Sequence, residues 1–258
     1  MKRETLRFKN KLIRERNRIE RKGLRMIRAS LKEQYKPLFD RIGNVSITDI
    51  EGLVEDMTEE PIRKVFMRYY SMFGNIALMQ RKHLLKEKSD EDTFFISMFE
   101  KYMQDIVRTE AGSMITTITE TSKKNALRKI REILADGEAE GLSVELIKEQ
   151  IVKGLGKFIR GNIEARARAI AQTEMIKASN QAAWRAVDST KLEIKKYWSS
   201  SHLPGVRDSH TKAEQDSISR GGLSKDEYHS NGLLYVGDPD GPAEEIINCR
   251  CTELYEVV

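Results

Sequence analysis

From Leu24 to about residue 160 the apolar residues recur at spacings of three and four, and no segment of quality alternates. A chain with that period buries helical stripes and has no sheet to offer over this length. Leu24, Ile27, Leu31, Tyr35 and Leu38 make the second half of the first segment an amphipathic helix. Gly43-Asn44 reads as a turn. Thr58-Glu-Glu-Pro61 is a helix start, with a capping hydroxyl, acids near the positive helix end and a proline in the first turn. That helix is expected to run through Ile62, Val65, Phe66, Tyr69, Met72 and Phe73 toward Leu85. Asp90-Glu-Asp92 opens another, with Phe94, Phe95, Met98, Phe99, Tyr102 and Ile106 on one face. Ala126, Ile130 and Leu134 mark a further helix that ends near Gly137. Ser143 caps the next, which carries Leu146, Ile147, Ile151 and Leu155. The methionine and aromatic stripes read as helix–helix core rather than a cofactor box.

Texture changes after Gly161. Residues 164–187 form an alanine-rich helix whose small side chains let neighbours approach closely. Leu192 to Trp198 alternates as a half-buried strand. Ser199 to Gly222 reads as loop, punctuated by Pro204-Gly205 and Gly221-Gly222. Ser224-Lys-Asp-Glu227 is a capping box over a short turn of helix. Leu233–Val236 reads as a short strand, Gly237–Pro242 as a tight loop, and Cys251–Val258 as the strand that closes an antiparallel sheet. The expected fold class is α+β: a mostly helical N-terminal region followed by a small C-terminal α+β domain with a short antiparallel sheet. The expected organisation is a basic helical arm over 1–45, a helical domain over 46–160 and the α+β domain over 161–258.

Charge divides the chain again. The 258 residues carry 45 Lys+Arg and 40 Asp+Glu, for a net charge of +5. Residues 1–36 alone hold fourteen basic and four acidic side chains, so this arm is +10 and the rest is −5. Such an arm suits a polyanion, nucleic acid or an acidic protein surface. Arg7, Lys9, Lys11, Arg14, Arg16, Arg18, Arg21 and Lys22 are its candidate phosphate contacts; the alternative is a solvated helix face. No run approaches the roughly 18 apolar residues of a membrane span. Met1-Lys-Arg-Glu-Thr leads into no apolar stretch, so no secretory signal is expected.

Three of the four histidines and both cysteines fall in the last 57 residues. Thiolate and imidazole are the usual zinc ligands. His210, Cys249 and Cys251 are therefore candidate ligands of one structural zinc, with Asp208 or Asp238 available to complete four. Cys249 and Cys251 lie closer in sequence than the usual pair of ligands, although alternate strand residues do share a face. The alternative is no cofactor: a reduced cysteine pair beside a hydrogen-bonded structural histidine. A spacing of one residue cannot staple distant parts of a fold, so a reducing compartment fits. There is no Gly-x-Ser-x-Gly, and Gly154-Leu-Gly156-Lys-Phe lacks the length and the Lys-Ser/Thr of a phosphate loop. The adjacent Glu244 and Glu245 read as a solvated loop. On the alanine-rich helix Arg166, Thr173, Glu174 and Asn180, with Trp198 and Arg207 beyond it, form a candidate polar network. In it Glu174 is buried against Arg166, Arg207 or the 199–210 loop.

Arg166-Ala-Arg-Ala-Ile-Ala-Gln-Thr173-Glu174, Asn180, Lys196-Tyr-Trp198, Arg207-Asp-Ser-His210, Gly237-Asp-Pro239 and Ile247-Asn-Cys249-Arg250-Cys251 follow one another in order. Over about residues 150–258 this set resembles the phage head morphogenesis family, the minor head proteins that include the phage Mu F-like proteins. Where family members often carry Asp-x-Arg, this chain has Leu203-Pro-Gly205. The resemblance implies a non-enzymatic minor capsid protein of a tailed phage or prophage. It would associate with the portal and the procapsid interior and act in head assembly, DNA packaging or delivery; the charge split adds the expectation that residues 1–36 bind double-stranded DNA without sequence preference. Its location would be the phage head, and the bacterial host cytoplasm during assembly. The rival reading is a metal-dependent hydrolase or toxin-like enzyme using His210, Cys249 and Cys251. A third is a DNA-binding module in which the arm is the whole function.

Overall fold

Apolar side chains at helical spacing begin well before Leu24, and the first helix begins with them. The structure, a computed structural model, describes residues 2–86, 92–109 and 111–258, with side chains from residue 97 onward in the middle stretch. The elements in chain order are α1 (Arg3–Arg41), α2 (Gly52–Glu55), α3 (Glu60–Ser71), α4 (Gly74–Leu85), α5 (Asp92–Thr109), α6 (Gly112–Ala139), α7 (Val144–Asp188), β1 (Ile194–Ser199), α8 (Asp208–Ser219), β2 (Leu223–Ser224), α9 (Ala243–Ile246) and β3 (Thr252–Val257). The fold is α+β, helical at first and closed by a three-stranded antiparallel sheet of order β2-β1-β3. Among the described residues no helix is long and apolar enough to cross a membrane.

Two compact units divide the chain. One comprises residues 1–24, 68–106 and 169–258; the other comprises 25–67 and 107–168. Among the described residues the second unit has helices and no strand. Ile27, Leu31, Leu38, Phe66, Ile115 and Ile130 are among its fully buried apolar side chains. The amide of Gln34 is buried with them, donating to Thr119 Oγ1 at 2.8 Å and accepting from Ser122 Oγ at 3.2 Å. Ser143 caps α7 as its position predicts, accepting from the Leu146 N–H at 3.3 Å. The preceding helix runs past Gly137, which is buried within it, and stops where Gly141 turns left-handed at φ 68°.

The first unit holds the sheet. β1 pairs with β3 from Ile194↔Val257 to Ser199↔Thr252, and with β2 at Lys195↔Ser224 and Lys196↔Leu223. A cluster of Leu84, Ala183, Trp184, Val187, Ile194, Tyr235 and Tyr255 lies under one end of it, with the Trp184 and Tyr235 rings stacked at 5.5 Å. Tyr69 crosses α1 at Gly23 to donate to the Ala171 carbonyl at 2.9 Å. A Cβ at Gly23 would stand 2.2 Å from the tyrosine ring, so only glycine admits that crossing.

Several expectations are corrected. The expected helix from Pro61 to Leu85 is two helices, because Met72 and Phe73 turn back onto Tyr69 and Tyr70 with short-range backbone bonds of 3.2 and 3.0 Å. The Ser199–Gly222 stretch contains α8, whose polar sequence hides its period from a search for apolar stripes. Ser224-Lys-Asp-Glu227 makes half of the expected box: Glu227 accepts the Ser224 N–H at 3.4 Å, while its own N–H goes to the Ser224 carbonyl at 3.2 Å, closing a turn with no helix following. Leu233–Val236 is irregular backbone leading into a turn over residues 235–238, closed by Asp238 N–H to the Tyr235 carbonyl at 3.1 Å, and the edge strand is instead the two residues of β2. The expected start at Asp90-Glu91 and the side chains of Phe94 and Phe95 lie outside the described residues.

The first half of α1 differs most in consequence. Thr5, Phe8, Leu12, Arg16 and Ile19 are all buried, so the helix is amphipathic from its first turn. Arg16 is 2 % exposed and gives Nη1 to Thr252 Oγ1 at 2.7 Å and Nη2 to Asn180 Oδ1 at 2.6 Å. Burial pulls its guanidinium down to about 10, against the raising influence of Tyr255, Cys249 and Glu253. It is a core residue and not a surface phosphate contact. Replacing Arg16 with alanine is expected to cost about 3 kcal/mol by opening a cavity and removing the buried donors of Thr252 and Asn180. The same change at exposed Arg14 is expected to stay within about 0.5 kcal/mol; chemical denaturation of the two variants measures the difference.

Candidate metal centre

The backbone brings together His210 and two cysteines that lie about forty residues later in the sequence. His210 stands in the first turn of α8, while Cys249 and Cys251 lead into β3. Cys251 Sγ lies 3.3 Å and Cys249 Sγ 3.8 Å from His210 Nδ1. The three potential ligand atoms fall within 4.8 Å of one another, the set being the one metal-competent group of three among the described residues. All three side chains are buried. Cys249 Sγ also accepts the Cys251 N–H at 3.3 Å, which folds the Cys-Arg-Cys segment around the sulfur. The Cys249 thiol is pulled down by its hydrogen bond with Cys251, with burial opposing and the charges of Arg207 and Arg16 assisting. Cys251 is pushed up by that same bond and by burial.

Glu245, read from sequence as solvated, stands on the other side of the histidine ring. Its Oε2 is 2.9 Å from His210 Nε2, out of line with a ring N–H that has no other partner. Ser209 Oγ donates to both Glu245 oxygens at 3.0 Å and so fixes the carboxylate. Short helix α9 carries Glu245, and no periodicity announces four residues of helix. The Trp198 ring covers His210 at 5.0 Å.

Neither aspartate joins the cluster. Asp208 is exposed on the first turn of α8. Asp238 accepts the N–H groups of Leu234 and Asp240 at 3.0 and 3.1 Å. His229 pairs with Glu253 at 2.9 Å, both fully buried, and Glu253 also accepts the Val236 N–H at 3.0 Å. His202 is exposed beside Glu214.

The polar face of α7 does grip a loop, but the loop is 247–250 and not 199–210. Gln172 Nε2 donates to the Asn248 carbonyl at 3.1 Å, and its Oε1 accepts from Arg250 at 2.6 Å. Thr173 Oγ1 accepts the Asn248 N–H at 3.3 Å. Arg207 donates to the Ile247 carbonyl at 2.6 Å. Asn248 itself is left-handed at φ 58°, a conformation asparagine tolerates better than most residues. Asn180 bridges α1 and β3, its Oδ1 accepting from Arg16 at 2.6 Å and from the Glu253 N–H at 3.1 Å. Gln172, Glu245, Asn248 and Arg250 were missed as positioning residues because each becomes meaningful only when distant segments meet.

Residues 128–254 match the family model described as phage Mu protein F like protein. Searches of curated proteins and of solved structures found no match to the chain.

Glu174 is buried as the sequence predicts, but its partner is Tyr70, whose hydroxyl donates to Oε2 while Oε1 has no partner. Arg166 instead donates to Ser122 Oγ and the Ile118 carbonyl, both at 3.2 Å, within the other unit. Burial raises the Glu174 carboxyl, opposed by the Lys177 charge and the Tyr70 bond. A raised folded value means that the native state holds the proton longer than the unfolded chain does. Its stabilising contribution is therefore complete below the ordinary glutamate range and is lost as pH rises through the folded value. Glu174→Gln keeps an acceptor for Tyr70 and cannot ionise. Its stability relative to the unaltered protein is expected to improve as pH rises above the ordinary glutamate range and to level off once the folded carboxyl has ionised, as read by thermal melting over a pH series.

Proposed function

We propose, from the premise that residues 128–254 belong to the phage Mu protein F like family, that this chain is a minor head protein of a tailed phage or prophage. In this reading it joins the head during assembly, meets the portal and capsid proteins on the procapsid's inner side, and touches the DNA that fills the head. The family match carries the reading. In the same reading the protein resides in the phage head, and in the host cytoplasm while heads are being built.

The surface of α1 supports the DNA contact. Arg7, Lys11, Arg14, Arg18 and Arg21 are all exposed and recur at spacings of four and three, which sets them on one side of the helix. Over that stretch the stripe is about 21 Å long at 1.5 Å per residue. Lys22 is exposed beside it and Lys9 half-buried, donating to Ser199 Oγ at 2.6 Å. Arg18 is partly engaged by Glu15. A row of Lys and Arg charges on one helix face offers contacts to phosphates, and binding without sequence preference is the chemistry read from it.

A structural role without turnover fits the chemical groups. His210, Cys249, Cys251 and Glu174 are at most 2 % exposed and spend themselves on one another or on the fold. A hydrolase needs such groups where a substrate reaches them.

Fractionation of virions tests the reading: the chain is expected in purified heads, and its recovery solely from tails or from unassembled host protein overturns it. DNA binding is tested separately. Neutralising about six phosphates gives a log–log salt slope near about −5, and replacing Arg7, Lys11 and Arg14 with glutamine brings it to about −3. A slope unchanged by the three replacements removes the stripe from the DNA contact.

A further inference from the structure

We propose that His210, Cys249 and Cys251 together bind one zinc ion, which staples the start of β3 to helix α8. Bond lengths of about 2.3 Å to sulfur and 2.0–2.1 Å to nitrogen, with tetrahedral angles, put a zinc site's sulfur and nitrogen about 3.5 Å apart. The two sulfurs here stand 3.3 and 3.8 Å from Nδ1, on either side of that value, and all three donors lie within 4.8 Å.

The histidine is set up as a ligand from behind. The negative charge of the Glu245 carboxylate, 2.9 Å from Nε2, favours the tautomer with its proton on Nε2, even though the contact is out of line for a hydrogen bond. Nδ1 then points an unprotonated lone pair at two sulfurs, of which a single thiol proton can serve one. A metal ion serves all three donors. Carboxylate behind histidine behind metal is the common outer-shell arrangement, and Ser209 holds the carboxylate in place with two contacts of 3.0 Å. Charge also closes. Zinc binding releases two thiol protons to solvent, and Zn²⁺ with two thiolates and a neutral imidazole is uncharged, which suits a fully buried position. Two thiolates with one imidazole select zinc over magnesium or calcium.

Among the described residues no fourth His, Cys, Asp or Glu joins the group, so the remaining corner falls to a solvent molecule. An open corner is usual in catalytic zinc sites, but here burial decides against that use. The ligands are 1 %, 2 % and 0 % exposed, and the Trp198 ring lies over His210 at 5.0 Å. The ion is a cross-link between segments about forty residues apart in sequence, at positions 210 and 249–251.

The test uses the untagged full-length protein, purified under reducing conditions. Metal analysis is expected to find about one zinc per chain. Replacement by Co²⁺ is expected to give the thiolate charge-transfer and tetrahedral ligand-field absorption bands, and chelation to lower the melting temperature. Cys251→Ser and His210→Ala are expected to lose the ion. Since either variant can misfold, Glu245→Gln provides the second reading: it keeps all three ligands and is expected to weaken zinc 10- to 100-fold in chelator competition (about the range for a lost outer-shell partner). Reduced protein that binds neither Zn²⁺ nor Co²⁺ overturns the proposal. So does native protein in which Cys249 and Cys251 are bonded to each other, and so does Co²⁺ bound without thiolate bands.

Discussion

One side-chain amide organises the sheet-bearing unit. Asn180 sits fully buried on α7, and every polar atom it has must therefore find a partner within the protein. Its Nδ2 donates back to the Ile176 carbonyl at 3.0 Å, while Oδ1 takes the Arg16 guanidinium from α1 and the Glu253 N–H from β3. Arg16 closes the triangle through Thr252. Breaking any edge takes the acceptor from a buried N–H donor, so the three elements keep one register. That register also sets where Cys251, the residue before Thr252, presents its sulfur.

The same helix that anchors this triangle also carries the exposed basic stripe. Its inner face holds Phe8, Leu12, Arg16 and Ile19, and its outer face holds Arg7, Lys11, Arg14 and Arg18. A basic arm loosely tethered to a body would bind a polyanion at the entropic cost of ordering itself. A basic face on a docked helix is ordered already, and its charges are spaced before any partner arrives. Arg16 shows the limit of counting charge: one guanidinium in the run supports the core and offers nothing to a phosphate.

The loop of residues 247–250 illustrates how weakly structured backbone is made rigid without regular secondary structure. Arg207 binds one carbonyl, Gln172 the next, and Thr173 the intervening N–H. Each bond comes from a residue named by the ordered motif set or adjacent to one. The motif is thus legible as a set of positions that hold Asn248 and the two cysteines in place, and its spread along the chain reflects how far apart the holders are in sequence.

Helix in the first 160 residues, a sheet at the end, and the amphipathic stripe from Leu24 to Leu38 were determined by the sequence alone, because period is a local property and survives any arrangement of neighbours. So was the grouping of thiols and imidazoles in the last quarter, and the burial of Glu174 on a small-residue face. The partners were decided by tertiary structure. Glu174 faces Tyr70 and not an arginine, since Tyr70 reaches it from a helix about a hundred positions earlier. Polar α8 escaped a search for apolar spacing, and the two-residue β2 took the place expected for Leu233–Val236, because pairing with β1 and not propensity chooses an edge strand. Which arginines in a basic run face water, and which carboxylate stands behind His210, depend on contacts between segments that no local pattern encodes.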